Sequence, residues 1–172
     1  MGRIVGEGIW REGGALQFRQ ASANLYWQLS DDDARFRSGL RLDATIRNGT
    51  APDGVSLFFL SEQKWTDSFS TRAILVTSKE MGDQAANGIK LETRLRADCT
   101  DGSKRHFGIE AYDLHGTTAR LAPYDRQRHQ IGPYASFPVG TGWTVTPGLL
   151  LGLSQASPDM EFRLFFSRRL DQ

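Results

Sequence analysis

Between Ala34 and Arg47 the chain alternates, residue by residue, between two chemistries. Phe36, Leu40, Leu42, Ala44 and Ile46 are apolar, and Arg35, Arg37, Arg41, Asp43 and Arg47 between them are charged. Gly88–Cys99 repeats the pattern, with Ile89, Leu91, Leu95 and Ala97 set against Lys90, Glu92, Arg94, Arg96 and Asp98. A period of two sorts side chains onto the opposite faces of an extended strand. These runs exceed the roughly 5–6 residues of a common soluble strand. They match the roughly 9–11 residues that a tilted strand needs to cross a bilayer. No segment holds a 3.6-residue period over three turns, so helices are not expected. The pattern poses one question for the whole chain, which is whether its apolar face meets a protein core or hydrocarbon.

Turn-forming clusters divide the sequence into strands over 3–10, 15–30, 34–47, 54–62, 69–79, 88–99, 104–114, 128–138, 142–154 and 160–170. The predicted fold is all-β: an up-and-down antiparallel β-barrel of about ten strands, of the transmembrane type, forming a single domain over 1–172. Eight strands remain if the N-terminal pair fails. Alternate breaks differ in size. Asp31–Asp33, Gln63–Ser68, Thr100–Ser103 and Val139–Thr141 are mostly tight, whereas the other set contains the long Glu80–Asn87 and His115–Gln127. Trp27, Trp65 and Trp143 gather at the short-turn end, the depth that an apolar ring with a polar N–H prefers in a membrane. Pro133 and Pro147 fall inside predicted central strands and call for bulges, because a closed barrel has no edge to excuse a missing N–H. Val55–Leu60 and Ala73–Val76 are apolar on both faces and predict a locally apolar lumen or a buried strand.

Composition narrows the classes. With 21 Lys+Arg against 20 Asp+Glu the net charge is +1, which gives no electrostatic case for nucleic acid. The single cysteine, Cys99, excludes an intrachain disulfide and a multi-cysteine metal site. No apolar run reaches the length of a membrane-spanning helix. The N-terminal segment lacks the apolar stretch of a secretory signal, so an exported protein would be represented here in mature form.

Several segments carry a resemblance. His129-Gln-Ile-Gly-Pro-Tyr-Ala-Ser-Phe137, Trp143-Thr-Val-Thr-Pro-Gly-Leu-Leu-Leu-Gly-Leu153, Ser157-Pro-Asp159 and Glu161-Phe-Arg-Leu-Phe-Phe166 resemble the closing hairpins of bacterial outer-membrane β-barrels. His106-Phe-Gly-Ile-Glu-Ala-Tyr112 is similar to a preceding strand of the same architecture. The chain departs from the pattern in finishing Arg168-Arg-Leu-Asp-Gln172 rather than on an aromatic residue. The resemblance implies a bacterial outer-membrane location. It also implies membrane lipid or lipopolysaccharide as partner, and association with other subunits of an outer-membrane complex.

If lipid covers the apolar face, the charges fill a narrow interior. Mixed signs then interlock as ion pairs rather than line an open channel, because an unpaired charge there costs several kcal/mol. The expected network is Arg41, Asp43, Glu92, Arg94, Arg96 and Glu110, with carboxylate partners for Arg41 and Arg94. Arg120, Tyr124, Arg126 and Arg128 give the longest loop a candidate binding surface suited to phosphate groups. His106 and Glu110 share a face, but no serine has distinctive spacing to either. His115 and His129 sit at loop margins without a metal-ligand spacing. No catalytic residue, metal or cofactor is therefore assigned. The leading function is a small outer-membrane barrel acting as a membrane-embedded scaffold or binding protein with a filled, charged lumen. The alternatives are a soluble lipocalin-like barrel carrying a hydrophobic ligand, for which Gly8-Ile-Trp10 is a slender sign, and a lipid-modifying barrel enzyme.

Overall fold

The computed structural model describes residues 2–9 and 17–168. They form β1 (Gly2–Ile9), β2 (Gln17–Gln28), β3 (Phe36–Arg47), β4 (Asp53–Lys64), β5 (Phe69–Met81), β6 (Lys90–Thr100) and β7 (His106–Thr117). After the two-residue β8 (Arg120–Leu121) come a single 3-10 turn (Tyr124–Arg126), β9 (Arg128–Val139), β10 (Trp143–Gly152) and β11 (Met160–Arg168). Ten long strands lie side by side in chain order, every pair antiparallel, and β8 pairs only with the end of β7. The predicted meander is thus present. The predicted ends at residues 10, 15–16 and 169–170, the Arg11–Gly14 turn and Trp10 lie outside the described residues. The β8 hairpin and the 3-10 turn fall within a stretch expected to be plain loop. They are too short to leave a periodic signal.

The sheet is not closed, whereas the sequence predicted a barrel. Among the described residues β1 pairs with β2 alone and β11 with β10 alone. Three of the eight residues of β1 are glycines, and its register against β2 slips between Glu7 and Gly8. Glycine supplies no side chain to pin register, so this strand is the most weakly specified of the ten.

The sheet nevertheless curls hard. β7 and β11 are separated by β9 and β10, about 14 Å in a flat sheet. Yet Arg163 Nη1 of β11 lies 3.2 Å from Glu110 Oε1 of β7, and its guanidinium stands 4.5 Å from the Tyr112 ring. Likewise the Arg96 guanidinium of β6 sits 3.7 Å from the centre of the Tyr134 ring of β9, with β7 between them. Side chains on that face converge, so it is the concave one.

Two glycines permit the curl. A Cβ on Gly132 would lie 1.7 Å from the Leu149 carbonyl oxygen, and one on Gly108 would lie 1.9 Å from that of Ala97. Neither site can accept a side chain without displacing the neighbouring strand. Gly132→Ala is expected to destabilise by about 1–3 kcal/mol or to block folding, as overpacking does. A urea unfolding midpoint equal to wild type contradicts this.

Pro133 and Pro147 need no bulge, contrary to expectation. β9 and β10 hold one register from Trp143↔Val139 to Gly152↔Gln130, and β7 and β9 hold one from His106↔Ser136 to Leu114↔Arg128. Register shifts lie elsewhere, between Glu7 and Gly8 where β1 meets β2 and between Leu91 and Glu92 where β6 meets β7. At the short-turn rim, the Asp101 carboxyl is held down at about 2 by the Ser103 hydroxyl and backbone N–H, with Arg105 adding to the effect.

Candidate functional site

The concave face carries the charges. Arg41 pairs with Asp43 along β3, with Nε 2.7 Å from Oδ1, and its guanidinium lies 4.0 Å from the Phe58 ring centre. Arg94 Nε donates to Glu92 Oε1 at 2.5 Å on β6. Glu62 accepts from Arg37 at 2.5 Å on one side and from Arg72 at 3.0 Å on the other, tying β3, β4 and β5 together. Arg96 reaches Asp98 at 3.9 Å. Of the six residues expected to form an interior network, Arg41, Asp43, Glu92, Arg94 and Arg96 pair along their own strands. Glu110 instead joins Arg163 and accepts from the Tyr112 hydroxyl at 3.1 Å. Alternation makes i and i+2 neighbours on one face, which is why same-strand pairs prevail. Arg163 is brought to Glu110 by its position opposite Gly148 and by the curl of the sheet.

This face has a packed centre. Phe58, Val76, Tyr134 and Leu150 are buried there with Gln130 and Glu110. Phe58 and Val76 supply the apolar interior patch expected from β4 and β5. Toward the long-loop end the face retains a cavity of about 260 Å³ between Glu92, Arg94, Arg128, Glu161 and Arg163.

The convex face is the reverse. Leu25, Leu57, Leu75, Leu95, Ile109 and Phe162 stand outward and are exposed, Leu95 at 50% and Phe162 at 69%. Trp27, Trp65 and Trp143 are exposed at the short-turn end of the sheet. No helix among the described residues is long and apolar enough to cross a membrane.

The four loop residues separate. Arg120, Tyr124 and Arg126 are exposed in the β7–β9 connection. Arg128 turns its guanidinium to Gln130 Oε1 (Nε, 2.7 Å) and Glu161 Oε2 (Nη2, 2.6 Å), groups of the concave face. His106 lies at the short-turn end, with Nδ1 3.6 Å from Asp98, while Glu110 is taken by Arg163, so the two do not form a pair.

A different pair does form. His129 Nδ1 lies 2.6 Å from Asp113 Oδ1 on the convex side of β7 and β9. Sequence reasoning passed over it because the partners are sixteen positions apart. The available signal was phase: along β7, Phe107, Ile109 and Ala111 mark the apolar positions, and Asp113 falls on the next one. Among the described residues no cluster of three or more His, Cys, Asp or Glu side chains could hold a metal ion.

No protein-family model, no curated protein and no solved structure matches the chain. Its class is therefore defined by its own architecture: an all-β, up-and-down antiparallel sheet, polar on its concave face and apolar on its convex face.

Proposed function

We propose that the chain is a small β-barrel of the bacterial outer membrane, in which β1 closes against β11 and lipid covers the convex face. It acts as a membrane-embedded scaffold whose long loops bind at the surface. The observation that carries this reading is the inverted distribution of chemistry. Leu95, Ile109, Leu151 and Leu164 are exposed while Glu110 and Gln130 are buried. A soluble carrier of the lipocalin kind turns the pattern the other way, leucines inward around a ligand.

Closure follows from the same solvent. Unpaired edge groups in hydrocarbon cost several kcal/mol each, so only a closed sheet spans. With ten alternating strands, β1 and β11 run antiparallel to each other, and an even number can close without a parallel pair. Phe165, on the concave face beside the free edge of β11, is 52% exposed and is the residue that β1 would cover. The interior is filled by paired side chains, which suits a scaffold rather than a conducting pore. Exposed Arg120 and Arg126 in the long loop suit the phosphates of lipopolysaccharide, as membrane partner.

The purified protein is expected to need detergent for solubility and to run faster on a gel before boiling than after it. A monomer that stays soluble without detergent, with unchanged migration on boiling, overturns the proposal.

A further inference from the structure

The convex face is apolar in its middle, yet at the long-loop end of β6, β7 and β9 it carries Thr93, Asp113 and His129 side by side in register. Ionisable groups facing hydrocarbon are expensive and mark functional sites by default. Here they are joined in a chain. Asp113 accepts at Oδ1 from His129 Nδ1 at 2.6 Å and at Oδ2 from the Thr93 hydroxyl at 3.4 Å. Thr93 Oγ1 is 3.1 Å from His115 Nε2, and His115 Nδ1 is 3.2 Å from Gln127 Oε1.

A carboxylate at Nδ1 fixes the tautomer of His129: Nδ1 carries the proton and Nε2 the lone pair. That Nε2 is buried with no hydrogen-bond partner, in a residue only 8% exposed. A buried acceptor left unmade is costly, so this imidazole presents a basic nitrogen that nothing in the described residues satisfies. The nearby hydroxyls are already used. Ser157 Oγ donates to the His129 carbonyl at 2.8 Å, and Ser154 Oγ donates to that of Gln127 at 2.6 Å, so neither is free as a nucleophile. Tyr124 lies flat over the ring, with centroids 4.5 Å apart and planes 14° apart. Its outer side is 60% exposed, and its hydroxyl makes only a 3.4 Å contact with the Leu153 carbonyl, so this cover is lightly held.

We propose that His129, oriented by Asp113, is a general base that activates water against an acyl ester of a lipid lying along the convex face, with Arg120 and Arg126 meeting the lipid's phosphate. The lipid substrate rests on the membrane reading above; the dyad itself does not. Nε2 takes a proton from water as the water oxygen bonds to the ester carbonyl carbon, and Asp113 holds the imidazolium that results. The tetrahedral intermediate collapses by breaking its bond to the alcohol oxygen, which receives the proton from Nε2. The products are a fatty acid and the lipid alcohol, with water the one co-reactant consumed.

The test is fatty-acid release by the purified full chain from mixed micelles of phosphatidylglycerol and, separately, of lipopolysaccharide, alongside hydrolysis of soluble p-nitrophenyl butyrate. His129→Gln is expected to lower release on the order of 10²–10⁴-fold, the worth of a general base. Asp113→Asn, which keeps the hydrogen-bond geometry, is expected to lower it and to displace the pH profile. If the protein proves soluble without detergent but cleaves p-nitrophenyl butyrate in a His129-dependent way, the dyad stands and the membrane reading falls. No hydrolysis of any of the three substrates by wild type, or undiminished hydrolysis by both variants, overturns the proposal.

Discussion

Leu95→Arg is expected to destabilise the protein folded in lipid by about 2–4 kcal/mol, the cost of a lipid-facing arginine near the bilayer midplane. Leu95 sits midway along β6, between Ala73 of β5 and Ala111 of β7, and is 50% exposed on the convex face. Its cross-strand neighbours on that face are alanines, and the nearest carboxylate there, Asp113, is already held by His129 and Thr93. In water the same substitution exchanges one half-exposed side chain for another and changes stability within about 0.5 kcal/mol. Urea unfolding in phosphatidylcholine vesicles, repeated with Cys99→Arg on the same face near the short-turn end of the strand, reads the depth dependence. A loss at Leu95 no larger than at Cys99 removes the bilayer from the account.

That contrast was largely legible in the sequence. The alternation in 34–47 and 88–99 fixes which residues share a face, and the registers of β3 and β6 keep Leu40 with Phe59 and Leu95 with Ala111. Faces are a local property, set by the period of the strand. Three things were not local. The curl that carries Arg163 across to Glu110 depends on the close approach of Leu149 to Gly132, a contact between strands that no spacing encodes. The meeting of Asp113 with His129 depends on the register of β7 against β9 across a long loop. The open edge is a third: the first strand carries three glycines, and among the described residues it pairs with β2 alone. Prolines were read too strictly: Pro147 sits opposite Leu164 in an unbroken ladder.

The second large effect concerns the charge that this curl buries. Glu110→Gln is expected to destabilise by about 3–5 kcal/mol, because it leaves Arg163, whose side chain is only 21% exposed, without its counter-charge. Glu110 is 8% exposed and accepts from Arg163 and Tyr112 at once, and its Oε1 is 3.5 Å from where a side chain on Gly148 would begin. The pair also spans from β7 to β11 over the two strands between, so its loss frees the edge of the sheet as well as a charge. Removing both partners separates the terms. Glu110→Gln with Arg163→Met keeps the volume, abandons no charge, and is expected to recover most of the loss, since a buried ion pair and an apolar pair of similar size are close in free energy. Unfolding midpoints of the two single variants and the double variant close the cycle. A single-variant loss below about 0.5 kcal/mol, or a double variant as unstable as the sum of the singles, means that Arg163 finds water or another acid, and that the concave face is wetter than its packing implies.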